Sequence, residues 1–298
     1  MQRLTRDRHT FVLDPKAKPI MTVTSGEEFV VETWDAYMGR WAPEDEPTHL
    51  GPAAGPIAVE GAMPGDVLRV DLLDIKPVQV KPEGMAVHDV TKGRGFLGSE
   101  FTRHVPTVMQ MQDGELIFPG GIRLPVTPSL GYVATTFTEF RETNTDSGPN
   151  GGDIDIKELT AGSSIWLPVF QPGGLLCVGD CHATLGDGCV GGTAAECASE
   201  SRLRVTLEKG MTLDRPRALT PEFFITICYG QDLGEAMRQA VRDMVKFLVE
   251  EKGMEPYTAY TLLSLGADIR ISRAFRPVSP VKLLLRRSVL DQIETARA

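Results

Sequence analysis

Apolar residues in this chain fall in short strand-like runs, some with an approximate period of two, cut by glycine and proline as far as residue 231. Only after that point does a helical spacing take over. This order constrains the fold more than any other feature. A period of two places alternate side chains on opposite faces of a strand, and a period near 3.6 places them on one face of a helix. In Val67–Ile75, Val67, Arg69, Asp71 and Leu73 alternate with Leu68, Val70, Leu72 and Ile75. Thr107–Gln112 and Glu115–Phe118 flank Asp113-Gly114, a strong short hairpin signal. Between 232 and 251, Leu233, Ala236, Met237, Ala240, Val241, Met244, Phe247 and Leu248 fall at helical spacing. Gly253 stops that helix, and Pro256 suits the first turn of a second one over 255–265. Strands followed by helices predict an α+β class: β-rich, with two packed antiparallel or mixed sheets and a C-terminal antiparallel helix pair. The length of 298 residues suits one domain. A weak repeat matches Gly55, Ile57, Val59, Gly65, Leu68 and Val70 with Gly152, Ile154, Ile156, Gly162, Ile165 and Leu167. Taken at face value, it divides the chain into two β subdomains, about 1–145 and 146–298.

The chemistry concentrates in Leu176–Glu196, LCVGDCHATLGDGCVGGTAAE. Leu175–Val178 reads as a buried strand, and the rest reads as a loop. Gly179, Gly186, Gly188, Gly191 and Gly192 let its backbone approach a ligand closely. Asp180 and His182 are two apart, so they share one face if the strand continues, where they can hold a metal or pass a proton. Asp187 and Glu196 add carboxylates. Singly, Asp180 and Asp187 equally suit turns beside glycine; together in one loop, the four point to a site. The N–H groups of residues 186–192 can stabilise an oxyanion. Cys189, with His182 as base, is a possible nucleophile; the other reading is a small buried residue. Asp35, at the end of VVETWD, and Asp153 and Asp155, after Gly151-Gly152, each read as a cleft acid or a turn acid. His88 and His104 have no supporting motif, and His9 and His49 sit among polar residues.

Several classes are excluded. A net charge of −9 argues against nucleic acid and anionic membrane as partners. The N-terminal MQRLTRDRHT has no apolar signal core, and no window is long and apolar enough to span a bilayer. Five cysteines, four of them between 177 and 197, do not form a secreted disulfide framework, so a cytoplasmic protein is expected. Cys181, Cys189 and Cys197 are eight apart, which is not structural-zinc spacing. Phosphate-loop, dinucleotide and nucleophile-elbow motifs are missing.

The run GDCHATLGDGCVGGTAAE resembles the GD-x-H-x-x-QGDGE-x-x-GTA-x-E signature of the acetamidase/formamidase family. NGGDIDIKEL at 150–159 is similar to that family's GGN-[LM]-D-x-[KR]-[DE]-L segment. VVETWDA, GPIAVEGAMPGDVLRVDLLDI and LLSLGADIRIS have counterparts in the same order. The resemblance implies hydrolysis of small linear amides to a carboxylate and ammonia, by a β-rich homo-oligomer with a helical C-terminal part. It implies a divalent metal, zinc foremost, with calcium the alternative. Carried over on the motif, Asp180 and His182 with Asp35 are candidate metal ligands, and Asp155 a second metal or structural acid. Glu196, Asp187 and His182 are candidate catalytic groups, and Asp153, Gly188 and Cys189 candidate substrate contacts. The chain departs from the pattern at Leu185 for glutamine, Cys189 for glutamate and Asp153 for asparagine. These departures leave open a changed chemistry based on Cys189, or a non-catalytic scaffold that binds a small ligand or metal.

Overall fold

The structure is a computed structural model and describes residues 1–42, 51–90, 94–101, 103, 105–143 and 147–295. His49 and His104 lie outside the described residues. Two layers of β-structure share one long strand, Glu196–Glu208, with helices covering the outer side of one layer. Across the first layer the strands run Gln2–Leu4, Glu28–Thr33, Glu196–Glu208, Val67–Val78, Ser163–Pro168, Arg217–Leu219, Phe223–Gly230, Ser279–Arg286 and Ala267–Ile271. All neighbours in it are antiparallel except the first pair. In the second layer Ala53–Val59, Leu176–His182, Ser129–Ala134 and Gly151–Asp153 follow one another.

The two-residue period explains why the strands beneath the helices are buried on both sides. Phe223, Ile225 and Ile227 enter the core between the layers, with Leu72, Val205, Val133 and Val178. Their neighbours Phe224 and Cys228 point the other way and pack with Ala236, Ala240, Met244 and Phe247 of the Leu233–Glu250 helix. Phe224 stacks on Phe247 at 3.9 Å between ring centroids. That helix begins where Asp232 caps the Glu235 N–H at 2.8 Å, and the second, Pro256–Gly266, where Glu255 caps Thr258. A third helix, Arg287–Thr295, and the strand Ala267–Ile271 were not anticipated from the sequence. Strands from residues 1–145 and 146–298 occur together in both layers, and Glu28–Thr33, Glu196–Glu208, Val67–Val78 and Ser163–Pro168 interleave. The repeat-matched residues Leu68 and Val70 lie opposite Leu167 and Ile165, as a local twofold between those strands would place them.

Two expectations about the glycine-rich run need correction. The strand does not end at Val178 but continues through His182, and Glu196 lies at the start of a strand, paired with His182. The polar side chains hid both strand ends, because they face a cavity rather than solvent. The Asp113-Gly114 hairpin forms as expected, with both residues at positive φ, 53° and 78°.

Candidate active site

Adjacent strands of the second layer bring the chemistry into one line. Ser129–Ala134 lies beside Leu176–His182, with Ser129 opposite His182 and Leu130 opposite Cys181. On its other edge it pairs with Gly151–Asp153, and the chain then turns so that the Ile154 and Asp155 N–H groups both donate to the Gly131 carbonyl. Glu196 comes alongside from the next strand. Asp155, Asp180, His182 and Glu196 thereby reach one cavity, which also has Ala36, Tyr132, Cys189, Thr193, Phe275 and three arginines, Arg94, Arg273 and Arg276, on its walls.

His182 Nε2 is the centre of the group. It lies 3.2 Å from Asp180 Oδ2, 3.5 Å from Glu196 Oε2 and 3.9 Å from Asp155 Oδ1. Asp155, His182 and Glu196 are almost wholly buried. Asp155 Oδ1 and Glu196 Oε2 are buried oxygens with no hydrogen-bond partner among the described residues. Glu196 Oε1 accepts from the Ala194 N–H at 2.8 Å. Unsatisfied buried carboxylate oxygens are costly, so several converging on one point need an explanation.

The backbone is forced to make this arrangement. Of six non-glycine residues at positive φ among the described residues, Asp155 (48°), Asp180 (55°) and Cys189 (43°) are all at the cavity. Such conformations cost about 1 kcal/mol or more each, and they cluster at functional sites. Gly131 supplies the floor. A Cβ there would lie 2.5 Å from His182 Cε1, 2.7 Å from Asp180 Oδ2 and 2.9 Å from Asp155 Oδ1. Sequence reasoning missed Gly131, although a glycine inside the strand-like SLGYVA is itself a sign of close approach.

The charges are strongly coupled. Burial pushes Asp155 up to about 7, with His182 opposing. Burial and then the Asp180 charge push Glu196 well above the usual carboxylate range. Burial also acts on Asp180, but the charge and hydrogen bond of His182 outweigh it and hold that acid low. Burial pushes His182 down, yet Glu196, Asp180 and Asp155 outweigh it and raise the imidazole well above its ordinary value. This crowding of buried like charge is what a bound cation would relieve. Asp155, Asp180 and His182 can each offer a ligand atom within 4.8 Å of the others. This oxygen and nitrogen set, with its partnerless oxygens and the glycine floor, fits a divalent cation.

The remaining candidates lie outside the cluster, two of them on the cavity wall. Asp35, expected as a metal ligand, is a turn acid: its oxygens accept from Tyr37 N, Gly39 N and Trp41 Nε1 at 2.9, 2.9 and 3.1 Å. Asp187 is drawn away from the cluster by Lys157 and the buried Lys282, at 2.7 and 2.6 Å. Burial raises its pKa, but the two lysines outweigh that and hold it below the usual range. Gly188 is stitched to the 272–274 segment, donating to Ser272 O and accepting from Ala274 N. Its N–H and those of Cys189 and Gly192 are already donated, which removes them as oxyanion donors. Asp153 lies on the cavity wall but is paired with the buried Arg273. Cys189 is on the wall too, and burial, then Asp155, Glu196 and Asp180, push its thiol far up. His88 packs against Gly191, with Nδ1 3.1 Å from Thr193 Oγ1.

The model of the acetamidase/formamidase family matches residues 7–136 and 138–279. The crystal structure of a recombinant predicted acetamidase/formamidase from the thermophile Thermoanaerobacter tengcongensis superposes with a TM-score of 0.90, at 32% identity and 98% coverage of both chains. An acetamidase structure from Bacillus halodurans gives 0.90 at 29% identity, covering 98% of this chain and 99% of that one. The acetamidase of Mycolicibacterium smegmatis is 30% identical over 244 residues, 58% of this chain and 59% of its own length. The chain spans little more than half the length of the curated relatives it matches. The fold and the matched length leave one conclusion: the chain belongs to the acetamidase/formamidase family.

Proposed function

We propose that the chain hydrolyses small linear amides of the formamide and acetamide type to a carboxylate and ammonia. The reading includes a divalent cation, zinc foremost and calcium second, held by Asp155, Asp180 and His182. The observation that carries it is the convergence of Asp155 Oδ1, Asp180 Oδ2 and Glu196 Oε2 on His182 Nε2 in a buried cavity. What a divalent cation supplies when bound there is polarisation of the amide carbonyl and easier deprotonation of water.

The chain's own residues supply orientation and proton transfer. Ala194 N–H holds Glu196 through Oε1 and leaves Oε2 facing the cavity. Glu196 Oε2 takes the proton of the attacking water and returns it to the leaving nitrogen. Burial favours the protonated form it needs for the second half of that cycle. Asp180, kept ionised, orients His182 and carries negative charge to the cation. Cys189 as nucleophile is the weaker reading, because its surroundings oppose a thiolate. The proposal extends to a homo-oligomer in the cytoplasm. Exposed Tyr257, Tyr260 and Leu265 give the second helix an apolar outer face, and the described cysteines are free.

Ammonia release across a panel of small amides, with and without added zinc, tests the function. Release above buffer from formamide or acetamide by the metal-loaded protein is the expected result. A folded, metal-loaded protein that releases ammonia from none of them contradicts it.

A further inference from the structure

The cavity carries arginines as well as the four acids Asp153, Asp155, Asp180 and Glu196. Arg94, Arg273 and Arg276 all line it, beside Phe275. Arg273 is committed, buried and paired with Asp153. Arg94 makes no hydrogen bond or ion pair with any described residue, although it is half-buried at the cavity; its charge reaches Asp180 from beyond ion-pair distance and helps hold that acid low. Its place is fixed by backbone contact rather than by a charge partner. A Cβ on Gly192 would lie 2.8 Å from Arg94 Cβ, and one on Gly95 would lie 2.7 Å from Gly191 C. The glycine-rich loop therefore packs closely against the backbone of Arg94 and Gly95 and fixes the Arg94 stem at the cavity wall.

The departures from the family pattern change the local balance in the same direction. Where the pattern places a glutamate, this chain has the uncharged Cys189 on the cavity wall. The acid it gains, Asp153, is spent on Arg273. Neither change gives Arg94 a carboxylate within hydrogen-bond reach. An arginine positioned on a ligand cavity without one suits a carboxylate, which it grips through two parallel N–H donors.

We propose that the substrate is a small amide carrying a carboxylate, such as the monoamide of a short dicarboxylic acid, with Arg94 receiving the carboxylate and Arg276 lining the same cavity. The inference rests on the amide-hydrolase reading and narrows its substrate class. The scissile amide lies at the Asp155–Asp180–His182 end, and the acyl chain spans to the guanidinium.

The test compares ammonia release from succinamate and from its uncharged isostere 4-methylpentanamide, by metal-loaded wild type and by Arg94→Gln and Arg94→Lys. The expected result is a kcat/KM for succinamate at least roughly tenfold above that for the isostere, as charge-assisted hydrogen bonds provide. Arg94→Gln brings that ratio to near one through KM, and Arg94→Lys restores part of it. Equal kcat/KM for the two amides in the wild type overturns the proposal, as does an equal loss on both in Arg94→Gln. Calorimetric titration with succinate separates this failure from failure of the amide-hydrolase reading. Succinate binding lost in Arg94→Gln, without turnover of any amide, keeps the anion site and removes the hydrolase. Ammonia release from uncharged amides with no succinate binding does the reverse.

Discussion

Glu196 has one oxygen held by a backbone N–H and the other facing His182, the geometry of a group that moves a proton. Glu196→Gln keeps the shape and removes the base. It is expected to lower kcat by about 10²-fold or more while the protein still takes up one cation, read by steady-state kinetics and elemental analysis. Gly131 tests the floor of the site. Gly131→Ala inserts a methyl 2.5 Å from His182 Cε1 and under 3 Å from two acids, so it is expected to abolish cation uptake and turnover without loss of far-UV circular dichroism. Cys189→Ser is expected to keep kcat within about an order of magnitude, whereas a nucleophile's loss abolishes it. At this scale Asp180, His182 and Glu196 were legible because they sit together in one glycine-rich run. Asp155 was legible as one of two readings of the acids after Gly151-Gly152, and through the resemblance as a second metal or structural acid. Asp35 misled, because an acid that closes its own turn carries the same local signal as one that faces a cleft. Arg94 gave no signal, since its partner is the backbone of a loop nearly a hundred residues away.

The loop between Leu176–His182 and Glu196–Glu208 is anchored by charge to the far end of the chain. Lys282 is wholly buried in the Ser279–Arg286 strand, with Glu158 and Asp187 at 2.5 and 2.6 Å. Arg270 adds a second cation to Glu158 at 3.4 Å. Removing one member of a buried ion group leaves its partners uncompensated, at a cost of about 3–5 kcal/mol. Lys282→Met is therefore expected to lower the free energy of unfolding by about 3 kcal/mol in urea titration, and Lys282→Arg by less. This network explains why Asp187 belongs to the signature run without reaching the cavity. Sequence periodicity placed both long helices, whose starts are marked by Asp232 and by Glu255-Pro256. The strand Ala267–Ile271 escaped, because it sits at a sheet edge with Asp268 and Ile269 exposed and lacks a buried alternation.

For the whole molecule, the sequence order of strands then helices foretold the layers, but not which strands meet. Ser129–Ala134 bonds to Leu176–His182 and Glu28–Thr33 to Glu196–Glu208, contacts set by global packing rather than by neighbouring residues. That packing buries Asp155, His182 and Glu196 and links cation binding to pH. Asp155 is lifted to about 7, so in the metal-free protein it keeps its proton over a range where an unfolded chain has lost it. The stability from that proton is complete below the unfolded value near 4 and is lost as the pH rises through about 7. A cation must displace that proton and also the one on His182, whose imidazole is raised well above its ordinary value, so its affinity is expected to fall by up to roughly a hundredfold per unit as the pH drops from 7 towards 5, measured by calorimetry. The most direct test of the central claim is the rate of ammonia release by protein stripped with chelator and then titrated with zinc. The account predicts loss of turnover on stripping and its return at one equivalent per chain. Full turnover by stripped protein in which elemental analysis finds no metal would contradict it.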